Sequence, residues 1–150
     1  MHRWCLVFLT ATFATVSVSA ATGDSPQAFL EGVMQKLSTG QRLPPDQLYT
    51  PRLVDLLELS SAAAQRRQEV GCIDGEPLLD CQECSPLKIE RMSVTNMAPG
   101  KVDAAVQYNV AGYTRQQRYS LVEVTDRGWR IDDISSSRMP SLRAYLASCR

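Results

Sequence analysis

Apolar residues recur at helical spacing after Ser25-Pro26, where Phe29, Leu30, Val33, Met34 and Leu37 form one stripe. Ser25 is a good N-cap and Pro26 suits the first helical position, so a helix is expected over residues 27–39, closed by Gly40. Leu43-Pro44-Pro45-Asp46 reads as a stiff connection. Thr50-Pro51 repeats the cap signal, and Leu53, Val54, Leu56, Leu57 and Ala64 form a second stripe, which predicts a helix over 51–67.

The pattern then changes. Val70 to Pro86 holds Gly71, Gly75, Pro77 and three cysteines, and reads as a structured loop. Four strand-like runs follow: Leu87–Thr95, Lys101–Val110, Arg118–Val124 and Trp129–Ile134. The second alternates cleanly through Val102, Ala104, Val106, Tyr108 and Val110. Short polar turns between runs argue for an antiparallel meander, because parallel strands need long crossovers. A last helix is expected from Pro140 to the end, with Leu142, Tyr145, Leu146 and Cys149 on one face. Helix, helix, loop, four strands, helix describes an α+β fold, a curved antiparallel sheet of about four strands packed on helices. Trp129, Ile131, Leu142, Tyr145 and Leu146 are expected in its core.

The start of the chain changes the compartment. Met1-His2-Arg3-Trp4 is a charged lead, Cys5 to Val18 is an apolar run, and Val18-Ser19-Ala20 supplies small residues. That is the layout of a cleavable secretory signal over 1–20, with cleavage expected after Ala20, or after Ala21 as the alternative. As a membrane anchor the run is too short and too rich in Thr and Ser to cross about 30 Å of hydrocarbon. Residues 21–150 are then one domain, with no membrane span, in the periplasm or secreted.

Charge adds little. The chain has 16 basic and 16 acidic residues, and Arg3 is the only one of these within 1–20. The basic residues are scattered, so a nucleic-acid partner is not expected. The single histidine is His2. Without histidine, residues 21–150 have no Ser–His or Cys–His pair and no His-based metal site. No cofactor and no metal is expected, and no catalytic residue stands out.

Cys72, Cys81, Cys84 and Cys149 remain after the signal, enough for two disulfides in three connectivities. A metal site would need more than one C-x2-C, and a redox site would need Cys81 at a helix N-terminus without the nearby charge of Glu83. Structural disulfides are the expectation in an oxidising compartment. In a meander, the start of the first strand and the end of the fourth lie at one end of the sheet. Cys84–Cys149 with Cys72–Cys81 is therefore the expected pairing. Cys81–Cys149 with Cys72–Cys84 ranks next. Cys81–Cys84 ranks last, because so short a loop constrains little.

Three stretches, "LYTPRLVDLL" (Leu48–Leu57), "DGEPLLDCQECSP" (Asp74–Pro86) and "GWRIDDI" (Gly128–Ile134), are similar to DUF3828, a group of exported bacterial proteins of unknown function. The resemblance implies an NTF2-like (cystatin-like) fold whose cone can hold a ligand. Cys84 stands where that pattern has an Asp, so no role of that acid carries over. In such a cone, Asp132 or Asp133 would act as a base, and Tyr108, Tyr113 or Tyr119 as a hydrogen-bond donor; strand alternation would put one Asp inside and one outside. The competing reading has these carboxylates capping a turn or pairing with Arg118 or Arg130.

Two functions follow. The first is a non-enzymatic binding module of the bacterial envelope, taking a protein partner (such as a toxin it neutralises) or a small apolar ligand. The second is a small enzyme using a carboxylate and Tyr in the cone for proton transfer or hydration. A cone plugged by Tyr, Leu and Met favours the first.

Overall fold

The computed structural model describes residues 25–73 and 75–149. The expected signal over 1–20 lies outside the described residues. Helix α1 is Pro26–Ser38, and Ser25 Oγ accepts a hydrogen bond from Ala28 N. The expected connection at Pro45 instead forms one helical turn, α2, Pro45–Leu48. Proline at the first position is compatible with that turn, because its missing N–H has no intrahelical acceptor there. Helix α3 covers Pro51–Arg67, as the cap and stripe predict.

Strands β1 (Leu87–Ala98), β2 (Lys101–Val110), β3 (Tyr113–Val124) and β4 (Gly128–Ser136) form one sheet in the order β1-β2-β3-β4, every pair antiparallel. Helix α4, Leu142–Ser148, closes the order. The architecture is α+β, a four-stranded antiparallel meander packed on helices. β2 buries Val102, Ala104, Val106, Tyr108 and Val110 and leaves the residues between them more accessible, as their alternation requires. β3 begins five residues before the expected Arg118. Ala111 and Gly112 both have positive φ, 49° and 86°, which makes a tight two-residue hairpin turn and lets Tyr113 pair with Val110 at once.

The core lies between the concave side of the sheet and the helices. Leu30, Val33 and Met34 from α1, Leu53 from α3, and Leu142 and Leu146 from α4 pack there against Ile131, Ile134 and Leu121. Trp129 is only partly buried at its margin. Tyr145, expected inside, is exposed; its ring lies off the buried line of Leu142 and Leu146, and its hydroxyl donates to Cys72 O. No helix among the described residues is long and apolar enough to cross a membrane.

β4 carries the irregularity that matters most. Ser120 pairs with Asp133, but the next residue of β3, Leu121, pairs with Ile131. Asp132 is therefore an extra residue, a β-bulge. The bulge shifts the phase of the strand, so Ile131 and Ile134, three residues apart, are both fully buried. Beside it, Thr50 N donates to Ile131 O at 2.9 Å and ties the start of α3 to the sheet edge.

Candidate functional site

The concave side of the sheet is filled by the chain itself. Leu78 and Leu79, in the loop before β1, are each 1% exposed. The loop turns tightly, because Glu76 N donates to Cys81 O at 2.8 Å and Leu79 N to Glu76 O at 3.2 Å. Gly75 permits this closeness. Its φ is +112°, and an added Cβ would sit 2.5 Å from Cys81 O.

A buried loop must satisfy its backbone without ladder partners. Here side chains supply the donors. Gln117 Nε2 donates to Pro77 O at 3.3 Å, Tyr119 Oη to Leu78 O, Tyr108 Oη to Leu79 O at 2.7 Å, and Arg138 Nη2 to Asp80 O at 2.7 Å. Gln117 Oε1 lies 3.0 Å from the Tyr108 hydroxyl and 2.9 Å from the Tyr119 hydroxyl, a second acceptor within reach of the one proton each carries. Four consecutive carbonyls are thus met by four side chains. Tyr108 and Tyr119, expected to offer free hydroxyls to a ligand, are spent on the plug. Gln117 lies one residue before the expected start of the third strand at Arg118, so only the longer β3 puts it in phase with Tyr119 and Leu121, and its partner is a loop forty residues earlier.

Burial pushes the phenols of Tyr49, Tyr108 and Tyr119 upward; Glu76 adds to this at Tyr49 and Asp80 at Tyr108. A folded-state pKa above the unfolded value of about 10 gives stability that is fully present below that pH and is lost above it. In an alkaline titration these three phenols should ionise only together with loss of the far-ultraviolet circular dichroism signal. Ionisation of all the tyrosines while the fold persists would contradict this placement.

The structure does not bring Asp132 and Asp133 to the tyrosines. Both are part-buried at the starts of α3 and α4, and neither pairs with Arg118 or Arg130. The bulge directs both toward Arg143: Asp132 Oδ2 receives Arg143 Nη1, and Asp133 Oδ2 lies 3.7 Å from Arg143 Nε. Asp132 Oδ1 also accepts from Thr50 Oγ1, the N-cap of α3, at 3.0 Å. Asp133 accepts from Ser141 Oγ at 2.6 Å, Arg143 N at 3.0 Å and Ile134 N at 2.9 Å. The expectation of one carboxylate inside and one outside assumed unbroken alternation, which the bulge removes. The pair joins α3, β4 and α4, and Asp133 satisfies a backbone donor in the first turn of α4. Asp133→Ala should cost about 2–3 kcal/mol, because it leaves part-buried donors unmet. Asp132→Ala should cost less. Urea denaturation measures both; an unchanged midpoint for Asp133→Ala would refute the role.

The cysteines pair as Cys72–Cys149 and Cys81–Cys84, the connectivity ranked last. The tight turn brings Cys81 back to Glu76, Cys84 lies three residues further on, and Cys72 stands against the end of α4. The topological argument expected the start of β1 beside α4, whereas α4 packs on α3 and β4 and is bonded to Cys72, soon after α3. Among the described residues no group of His, Cys, Asp or Glu is placed to hold a metal ion.

Among the described residues several surface clefts border the plug loop, and two of them concern the last helix and the end of β4. One, of about 570 Å³, lies between the cysteine loop and α4 and includes Ile73, Pro77, Met139 and Tyr145. The other, of about 580 Å³, opens where β4 ends and is lined by Asp80, Arg115, Gln116 and Ser135 to Ser137. The sequence offered no signal for the second, since its residues come from four separate segments. Comparison with protein-family models, with curated proteins and with solved structures gives no match.

Proposed function

We propose that this chain is an exported, non-enzymatic binding domain of the bacterial envelope, NTF2-like in architecture and akin to the DUF3828 group, that recognises a protein partner, as a toxin-neutralising protein does. The observation that carries this reading is the plug. The space in which an NTF2-like cone would hold a small molecule is occupied by Leu78 and Leu79, and the hydroxyls that would orient a substrate are bonded to the plug's carbonyls. Recognition is then left to the outer surface. Two disulfides support an oxidising compartment, periplasmic or extracellular, where such bonds persist. The carboxylates Asp132 and Asp133 bind helix donors, which supports a structural role over a catalytic one.

The test is capture from envelope extract with the disulfide-bonded protein, followed by isothermal titration of the purified partner. A stoichiometric complex is expected. A saturable thermal shift with small apolar compounds, lost when Leu79 is enlarged to Phe, would replace this reading with a ligand-binding cone.

A further inference from the structure

We propose that the cleft at the end of β4 is a docking notch for an extended, carboxylate-bearing peptide segment of the partner; the inference rests on the binding-module reading above. The sheet itself makes the notch. β4 pairs with β3 only as far as Gln117↔Ser136, while β3 continues back to Tyr113. Tyr113 to Gln116 therefore pair with β2 on one side and, among the described residues, with no strand on the other. The chain that would have continued β4 turns away at Ser137, and Met139 O is taken by Ser136 N at 2.8 Å. Four strand residues span about 13 Å, enough to align a short extended segment by backbone hydrogen bonds, as exposed sheet edges do.

The side chains around this edge select charge. Arg115 lines the cleft, and its Nε is shielded from solvent with no hydrogen-bond partner. Among the described residues neither Arg115 nor Arg118, which also lines the cleft, has a carboxylate within ion-pair distance. The one acid on the cleft, Asp80, is neutralised by Arg138 Nη2 at 2.9 Å and also receives Ser136 Oγ. The notch is left with two uncompensated guanidinium groups beside an open strand edge. A shielded guanidinium N–H without an acceptor favours a partner that brings one, and a carboxylate matches the planar fork in two bonds. Arg115 stands within the open stretch, and Arg118, opposite Ser135, stands just beyond it on the other face of β3.

The probe is an N-acetylated tetrapeptide with two glutamates and a free C-terminus, titrated into the disulfide-bonded protein and followed by amide chemical shifts and fluorescence anisotropy. Saturable binding is expected, with shifts at Thr114 to Gln116. Arg115→Gln should weaken binding at least about tenfold, as should replacing both glutamates by glutamine and amidating the terminus. Ser137→Glu, which puts a carboxylate at the rim and leaves Arg115 intact, should weaken it similarly and guards against a folding defect in Arg115→Gln. The proposal is overturned if the glutamine peptide binds equally. It is also overturned if inorganic phosphate saturates the same site and the peptide shifts no amide from Thr114 to Gln116, which marks a simple anion site. A captured partner that binds Arg115→Gln and Ser137→Glu as tightly as the native chain removes the notch and leaves the binding-module reading standing. Acidic-peptide binding with no captured partner does the reverse.

Discussion

Replacing both Cys72 and Cys149 by Ser should lower stability by about 4–5 kcal/mol and the melting temperature by about 15–25 °C. The bond joins residues 77 apart and closes most of the domain into one loop. Opening it restores to the unfolded chain the freedom that a long loop loses on closure. It also unpins the end of α4, a helix of only seven residues that cannot persist without tertiary contacts. The Tyr145 hydroxyl on Cys72 O, at 2.9 Å, would be lost with it. The double replacement of Cys81 and Cys84 is the control. Those residues are three apart, and a loop so short confers about 2 kcal/mol at most in the same chain-entropy account. Calorimetry on the two variants ranks the bonds. Equal losses, or a Cys84–Cys149 peptide in a non-reducing digest, would contradict the assigned connectivity.

The second large effect is expected at the plug. Leu79→Ala should cost about 3–5 kcal/mol, the range for deleting a fully buried leucine side chain where the surroundings relax only in part. Collapse around the site is limited, since Tyr119 holds the carbonyl before Leu79 and Tyr108 holds its own. Tyr119→Phe should cost about 1–3 kcal/mol, because it removes the donor to Leu78 O and leaves a buried acceptor unmet. Urea midpoints compare the two. If Leu79→Ala behaves as a surface substitution, below about 0.5 kcal/mol, the plug does not occupy the core.

These effects mark which parts of the structure were legible in the chain. Local rules placed α3 at Pro51–Arg67, because a Thr-Pro cap and an apolar stripe are decided by neighbours within one or two turns. The same holds for β2, whose alternation records the burial of one face. Turn chemistry gave the antiparallel order, though the start of β3 was missed: Ala111 adopts a positive φ that its identity does not advertise.

What only the tertiary structure decided lies where two distant segments meet. Nothing in Leu78-Leu79 distinguishes a plug from an exposed loop until Tyr108, Gln117 and Tyr119 are seen to offer hydrogen bonds to its carbonyls. The bulge at Asp132 breaks alternation, because it is set by the register against β3 rather than by residues within β4. The disulfide pairing was likewise decided in three dimensions, since Cys72 rather than Cys84 stands against the end of α4. Short-range propensities are written along the chain and can be read from it. Which buried polar group meets which carbonyl depends on register and packing, and these exist only once the sheet has formed.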